Sequence, residues 1–194
     1  MKLYTKKGDA GETHNLSGQK VSKNDNSIHL VGTLDELNAH LGLVKAMLSN
    51  EDSWQFAWKS AVHFIVKIQK NLVKIMSMVS AGTSPVNEKF IISDIDITII
   101  EKEIDRLSGN IPKQHELIIP GKNIIEAQIQ ITRTVARRAE RMFFAAYSPD
   151  KSGGEKPFCP KAGVFLNRLS DYLFILSQQE SLINVNFINQ ITGI

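Results

Sequence analysis

One cysteine, Cys159, stands among 194 residues. That excludes an internal disulfide framework and a cysteine-based zinc cluster, since each needs several thiolates. An excess of one charge is also lacking. The 23 Lys and Arg against 20 Asp and Glu leave a formal net charge of +3, too small to argue for a nucleic-acid surface without a concentrated basic patch. No apolar segment follows Met1 that could serve as a signal peptide, and Lys67, Lys70 and Lys74 interrupt the greasiest stretch before it could span a bilayer. A cytoplasmic protein with no nucleic-acid or membrane partner is the expectation. The five histidines lack paired metal-ligand spacing, and neither a Gly-x-Ser-x-Gly elbow nor a Cys/His pairing for nucleophilic attack occurs. No protein-held metal is expected, and little covalent chemistry from the protein itself.

What is present is helical periodicity, in a length suited to one domain. Leu34, Leu37, Leu41, Val44 and Leu48 recur at steps of three and four, with Thr33 and Glu36 spaced as a capping box at the start. Trp58, Ala61, Ile65, Ile68, Leu72, Ile75 and Val79 mark a long second helix that Gly82 and Pro85 stop. Ser93 and Asp96 open a third, ending at Ser108-Gly109, whose β-branched residues leave a strand open for its first half. The stretch from Ile111 to Gly121 reads as an ordered connection. The fourth helix is predicted from about Asn123 to Tyr147 and the fifth from about Lys161 to the mid-180s, joined by a polar segment, Ser148 to Pro157, expected to be mobile. Five helices without alternating strands predict an all-α bundle.

Three places spend stability on something other than a core. Arg133, Arg137 and Arg141 lie four apart in one stripe with Arg138 beside them; like charges at that spacing cost roughly 0.2–0.5 kcal/mol per pair. The guanidinium forks onto phosphate or carboxylate oxygens as lysine does not, so the stripe reads either as an anion site or as a solvated, salt-bridged face. Ala139 within it would let another element approach. The loop Thr5-Lys6-Lys7-Gly8-Asp9-Ala10-Gly11-Glu12-Thr13-His14 combines glycines, hydroxyls and lysines, the ingredients of a phosphate cradle without the Gly-Lys-Ser/Thr ending of a P-loop. An ordinary surface turn is the other reading. On the fifth helix, Asn167 and Asp171 share a face beside the packed Leu166, Leu169 and Leu173. Hydrogen bonding across the bundle would account for Arg168 and Asp171, while a ligand suits Asn167 better. For Asp35, a place in the first turn of a helix would suffice.

Taken in order, Thr5 to Thr13, Lys23, Val31-Gly32-Thr33-Leu34-Asp35-Glu36-Leu37-Asn38, Ile119-Pro120-Gly121, Arg133 to Arg141 and Phe165 to Tyr172 resemble the ATP:cob(I)alamin adenosyltransferases of the propanediol-utilisation type, from residue 3 to about residue 180. The resemblance implies a five-helix bundle with an N-terminal nucleotide-binding loop, assembling as a homotrimer with ATP at each subunit interface and the corrin in an adjacent apolar pocket. In this reading 1–194 is one domain, with the ATP-binding loop over 1–32, the helical bundle over 33–185 and a tail over 186–194. It further implies that Thr5, Lys6, Lys7, Gly8, Thr13, His14 and Lys23 line ATP from one subunit. Arg137, Arg138, Glu140, Arg141 and Asn167 would complete the site from the neighbour, and Arg133 would pair with Asp35 across the interface.

The implied reaction is attack of cobalt(I) on the 5′ carbon of ATP, with triphosphate leaving and Arg137 and Mg2+ stabilising its charge. Leu117 stands where the family has a phenylalanine in the apolar wall near the lower axial face of cobalamin. Lys122 replaces the second glycine of a Pro-Gly-Gly, and Lys7 a common threonine. A reductase and an adenosylcobalamin-dependent enzyme would be partners. The alternative reading is a non-catalytic carrier or sensor of ATP and cobalamin, and a third is a helical scaffold using the arginines for a protein partner.

Overall fold

The computed structural model describes residues 4, 6, 8–50, 55–82, 84–109, 111, 118–147 and 159–192, with side chains at 55–57 and 180–192 left aside. Thr5, Lys7, Leu117 and the polar joint over 148–158 lie outside the described residues.

Two short antiparallel strands, β1 (Glu12–His14) and β2 (Lys20–Ser22), form a hairpin in which Thr13 faces Val21 and His14 faces Lys20. Among the described residues five α-helices follow: α1 (Asn26–Asn50), α2 (Gln55–Ser80), α3 (Asp94–Ser108), α4 (Ile124–Tyr147) and α5 (Pro160–Thr192). A 3-10 turn, Glu88–Phe90, precedes α3. Helix α1 packs on α2 and α4, and α5 packs on α4 and α3. The bundle is closed where Phe64 of α2 meets Tyr172 of α5, ring centroids 5.0 Å apart. The predicted periodic residues form the core: Leu34, Leu37, Leu41, Ile65, Leu72, Leu166 and Leu169 are fully buried, each such side chain contributing about 1.5–3 kcal/mol by leaving water.

Helix α1 starts at Asn26, so the expected capping box at Thr33 and Glu36 is corrected. The Asp25 carboxylate accepts from the Ser27 backbone N–H at 2.8 Å and caps the helix. Leu30, fully buried, extends the apolar stripe one turn upstream. Thr33 is then a mid-helix residue whose hydroxyl donates to the His29 carbonyl at 3.0 Å. Asp35 is likewise beyond the first turn, which removes the helix-dipole account of it.

Residues 26–32 therefore belong to the bundle rather than to the loop. At the other end, α5 reaches Thr192, past the expected boundary at 185, because neither glycine nor proline interrupts it between Gly163 and Gly193. Helix α3 is helical throughout. Its box is complete: Ser93 Oγ accepts from the Asp96 backbone N–H, and Asp96 Oδ2 accepts from that of Ser93 at 2.9 Å.

Candidate functional site

The N-terminal loop is shaped by backbone conformations that side chains disfavour. Lys6 sits at φ 60° and Gly11 at φ 80°; for a lysine the left-handed region is uncommon and costs of order 1 kcal/mol. The turn they make is closed by Lys23, whose backbone N–H donates to the Gly11 carbonyl at 2.9 Å. The Lys23 ammonium comes back over Gly8, so the hairpin delivers a cation onto the bare backbone of the loop. Lys6 and Lys23 are exposed, and Thr13 is half-buried with His14 exposed beside it. Lys20 pairs with Glu12 across the hairpin.

Helix α4 presents the arginines differently from one another. Ala136 and Ala139 are fully buried against the bundle, leaving Arg137 and Arg141 exposed on the far face. The small residue expected to admit another element thus faces the core. Neither Arg137 nor Arg141 has a hydrogen bond or ion pair among the described residues. Arg138 is tied to Glu36 of α1 within the chain, an exposed pair of the kind worth about 0–1 kcal/mol. Arg133 is half-buried and its Nε donates to Gln130 Oε1 at 2.7 Å. Asp35 is exposed and also has no partner among the described residues. One stripe therefore holds two occupied and two unoccupied guanidinium groups.

Next to the stripe, Asn167 Nδ2 donates to Glu140 Oε1 at 2.9 Å, joining α5 to α4. Arg168 Nη1 donates to Asn167 Oδ1 at 2.8 Å, and its Nε donates to Glu101 Oε1 on α3 at 2.9 Å. The structure thus brings together Gly8 with Lys23, and Glu140 with Asn167. Among the described residues, no hydrogen bond or ion pair joins the lysine loop to the arginine stripe.

Two features escaped the sequence reading. Glu126 is fully buried, and its Oε2 accepts from the backbone N–H of Gly121 at 2.7 Å and of Lys122 at 3.2 Å. It thereby fixes the turn where Gly121 takes φ 111°. The signal was an Asn with a Glu three residues on: Asn123 accepts from the Glu126 backbone N–H at 2.8 Å and caps the start of α4. The other is a cavity of about 430 Å³ behind the hairpin, lined among others by Thr13, His14, Val21, Ile28, Val79 and Tyr147. Burial, with a smaller contribution from the nearby Cys159 thiol, pushes the Tyr147 hydroxyl up to about 12. No group of three His, Cys, Asp or Glu side chains converges to hold a metal among the described residues. No described helix is long and apolar enough to cross a membrane.

The family model for cobalamin adenosyltransferase matches residues 3–180. The chain is 33% identical over 181 residues to the corrinoid adenosyltransferase PduO of Citrobacter freundii, a stretch covering 93% of this chain and 50% of that protein. It thus spans about half the length of that relative. It is 30% identical over 179 residues to a second corrinoid adenosyltransferase of Citrobacter freundii, covering 92% of this chain and 94% of the other. Among solved structures it is similar to a variant PduO-type ATP:corrinoid adenosyltransferase from Lactobacillus reuteri complexed with cobalamin and ATP. There the TM-score is 0.78 and the identity 26%, over 94% of this chain and 95% of that one.

Proposed function

Because the chain belongs to the cobalamin adenosyltransferase family, we propose that it transfers the 5′-deoxyadenosyl group of ATP to cob(I)alamin, releasing triphosphate. The electron pair of cobalt(I) forms the Co–C bond to C5′ as the C5′–O bond breaks, and the bonding pair of that C5′–O bond leaves on the triphosphate oxygen. No protein nucleophile is required. Catalysis is positioning plus stabilisation of the charge growing on the leaving group.

One observation supports this reading most. Arg137 and Arg141 are aligned, exposed and without a partner among the described residues, a costly arrangement unless an anion completes it. The strained loop with Lys6, Gly8 and Lys23 offers a second cationic half. In this reading each site is assembled from two copies. One copy brings Thr5, Lys6, Lys7, Gly8, Thr13, His14 and Lys23, and its neighbour Arg137, Arg138, Glu140, Arg141 and Asn167. Asp35 pairs with Arg133 across the same interface of a homotrimer, and Leu117 lines the corrin side.

Mg2+ enters in this reading as an ion carried on the triphosphate oxygens with its own water. The protein works in the cytoplasm with a reductase that supplies cobalt(I) and an enzyme that receives adenosylcobalamin.

Mixing the protein with MgATP and chemically reduced cob(I)alamin is expected to give adenosylcobalamin and triphosphate in equal amounts. Orthophosphate or pyrophosphate as the first product rejects this mechanism, and tight binding of both substrates without transfer identifies a carrier instead.

A further inference from the structure

Glu140 has Arg137 one turn before it and Arg141 beside it, yet it forms an ion pair with neither. Its carboxylate is drawn instead toward α5, to the amide of Asn167. An amide has two nearly isosteric orientations, one offering NH2 and the other a carbonyl. Only the first attracts a carboxylate. Arg168 reinforces it from the other end: a guanidinium donates and never accepts, so the Asn167 oxygen faces Arg168 Nη1, at 2.8 Å, while the NH2 faces Glu140. Arg168 is in turn aimed by Glu101 on α3, at 2.9 Å from its Nε. Asp171 lies 4.0 Å from Nη1, beyond hydrogen-bond distance, and does not substitute for Glu101.

We infer that Glu101 and Arg168 are positioning residues for the nucleotide site. Through Asn167 they hold Glu140 on α5 and so leave Arg137 and Arg141 unneutralised for the triphosphate. The inference rests on the proposed function. Neither residue contacts the nucleotide, and both act through the polarity of one amide. Without them Asn167 Oδ1 loses its donor, the amide is no longer held from both sides, and the Glu140 carboxylate is freed to swing to Arg137, which lies within pairing distance at that helical spacing. ATP must then displace an internal anion before binding.

The discriminating experiment is a charge swap. Glu101→Ala, Glu101→Gln, Arg168→Met and the double variant E101R/R168E are compared with wild type. The readouts are MgATP affinity by calorimetry, KM and kcat for transfer to supplied cob(I)alamin, and the melting temperature. Glu101→Ala and Arg168→Met are expected to raise Kd and KM for ATP roughly three- to tenfold, the size of a lost hydrogen bond, while kcat at saturating ATP holds. Glu101→Gln, which keeps an acceptor for Arg168, weakens ATP less. The swap restores the α3–α5 ion pair and the melting temperature but leaves no donor for Asn167 Oδ1, so ATP stays weakly bound.

Recovery of ATP affinity by the swap overturns the inference, because only the helix tie would then matter. Wild-type affinity in Glu101→Ala overturns it as well. Both results leave adenosyl transfer by the wild type standing. A wild type that neither binds ATP nor transfers rejects the proposed function, and this inference with it.

Discussion

The Lys23 ammonium nitrogen lies 3.2 Å from the point where a Cβ on Gly8 would stand. A methyl group there is tighter than ordinary contact and displaces the cation by a few tenths of an ångström. Gly8→Ala is therefore expected to weaken MgATP binding roughly two- to threefold, a fraction of one charge-assisted hydrogen bond. The lysine side chain is flexible and exposed, so the melting temperature should move little. Calorimetric titration beside a thermal melt checks both, and a large loss of stability would instead make Gly8 a folding residue.

Arg137→Ala separates catalysis from folding in the same way. The side chain is exposed and without a partner among the described residues, so its removal should change stability by no more than about 0.5 kcal/mol. Losing a donor aimed at developing charge lowers turnover by roughly 10²–10³. Single-turnover rates with preformed cob(I)alamin measure this directly, and near wild-type rates would take Arg137 out of the leaving-group role.

Gly163 is where α5 closes on α4. A Cβ at this position would stand 2.8 Å from Phe144 Cζ and 3.2 Å from Phe143 Cε1, and Phe143 is fully buried. Gly163→Ala should overpack this seam and destabilise the fold by about 1–3 kcal/mol, despite the better helix propensity of alanine. Urea denaturation reads the change, and a stabilised variant would mean that the rings yield.

Acid should loosen the start of α3. Burial alone would raise the pKa of Asp96, but hydrogen bonds from the Ser93 backbone and hydroxyl and the Lys74 ammonium outweigh it, leaving the carboxyl below its usual 3.8. A carboxylate held low in the folded state contributes stability that is full above its unfolded pKa. That contribution fades as pH falls below about 3.8 through the lower folded value. Asp96→Asn should thus cost about 1 kcal/mol near neutrality, with the difference from wild type shrinking toward pH 3. A pH-independent difference would assign the effect to packing.

Much of the bundle was legible because helices announce themselves locally. The Ser93 and Asp96 cap, the α4 limits and the core leucines all follow from spacings of three and four, which fix one face of a helix before any partner is known. The start of α1 was misread for a related reason: Thr33 and Asp25 are both good capping residues, and local chemistry does not rank them. Burial of Leu30 does, and that is a contact with the rest of the fold.

The same division runs through the candidate site. Sequence by itself determined that four arginines share a short stretch of α4, that glycines and lysines share the N-terminal loop, and that Asn167 stands beside a packed face. It could not sort the arginines. Arg138 is taken by Glu36, 102 residues away in sequence, and Arg168 by Glu101, 67 residues away, while Arg137 and Arg141 are left open. Which charge meets which depends on how α1, α3, α4 and α5 pack, because an ion pair needs its atoms within about 4 Å and no local spacing encodes that distance. Periodicity determined the elements; the packing of those elements decided which polar groups are satisfied within the chain and which remain for a ligand.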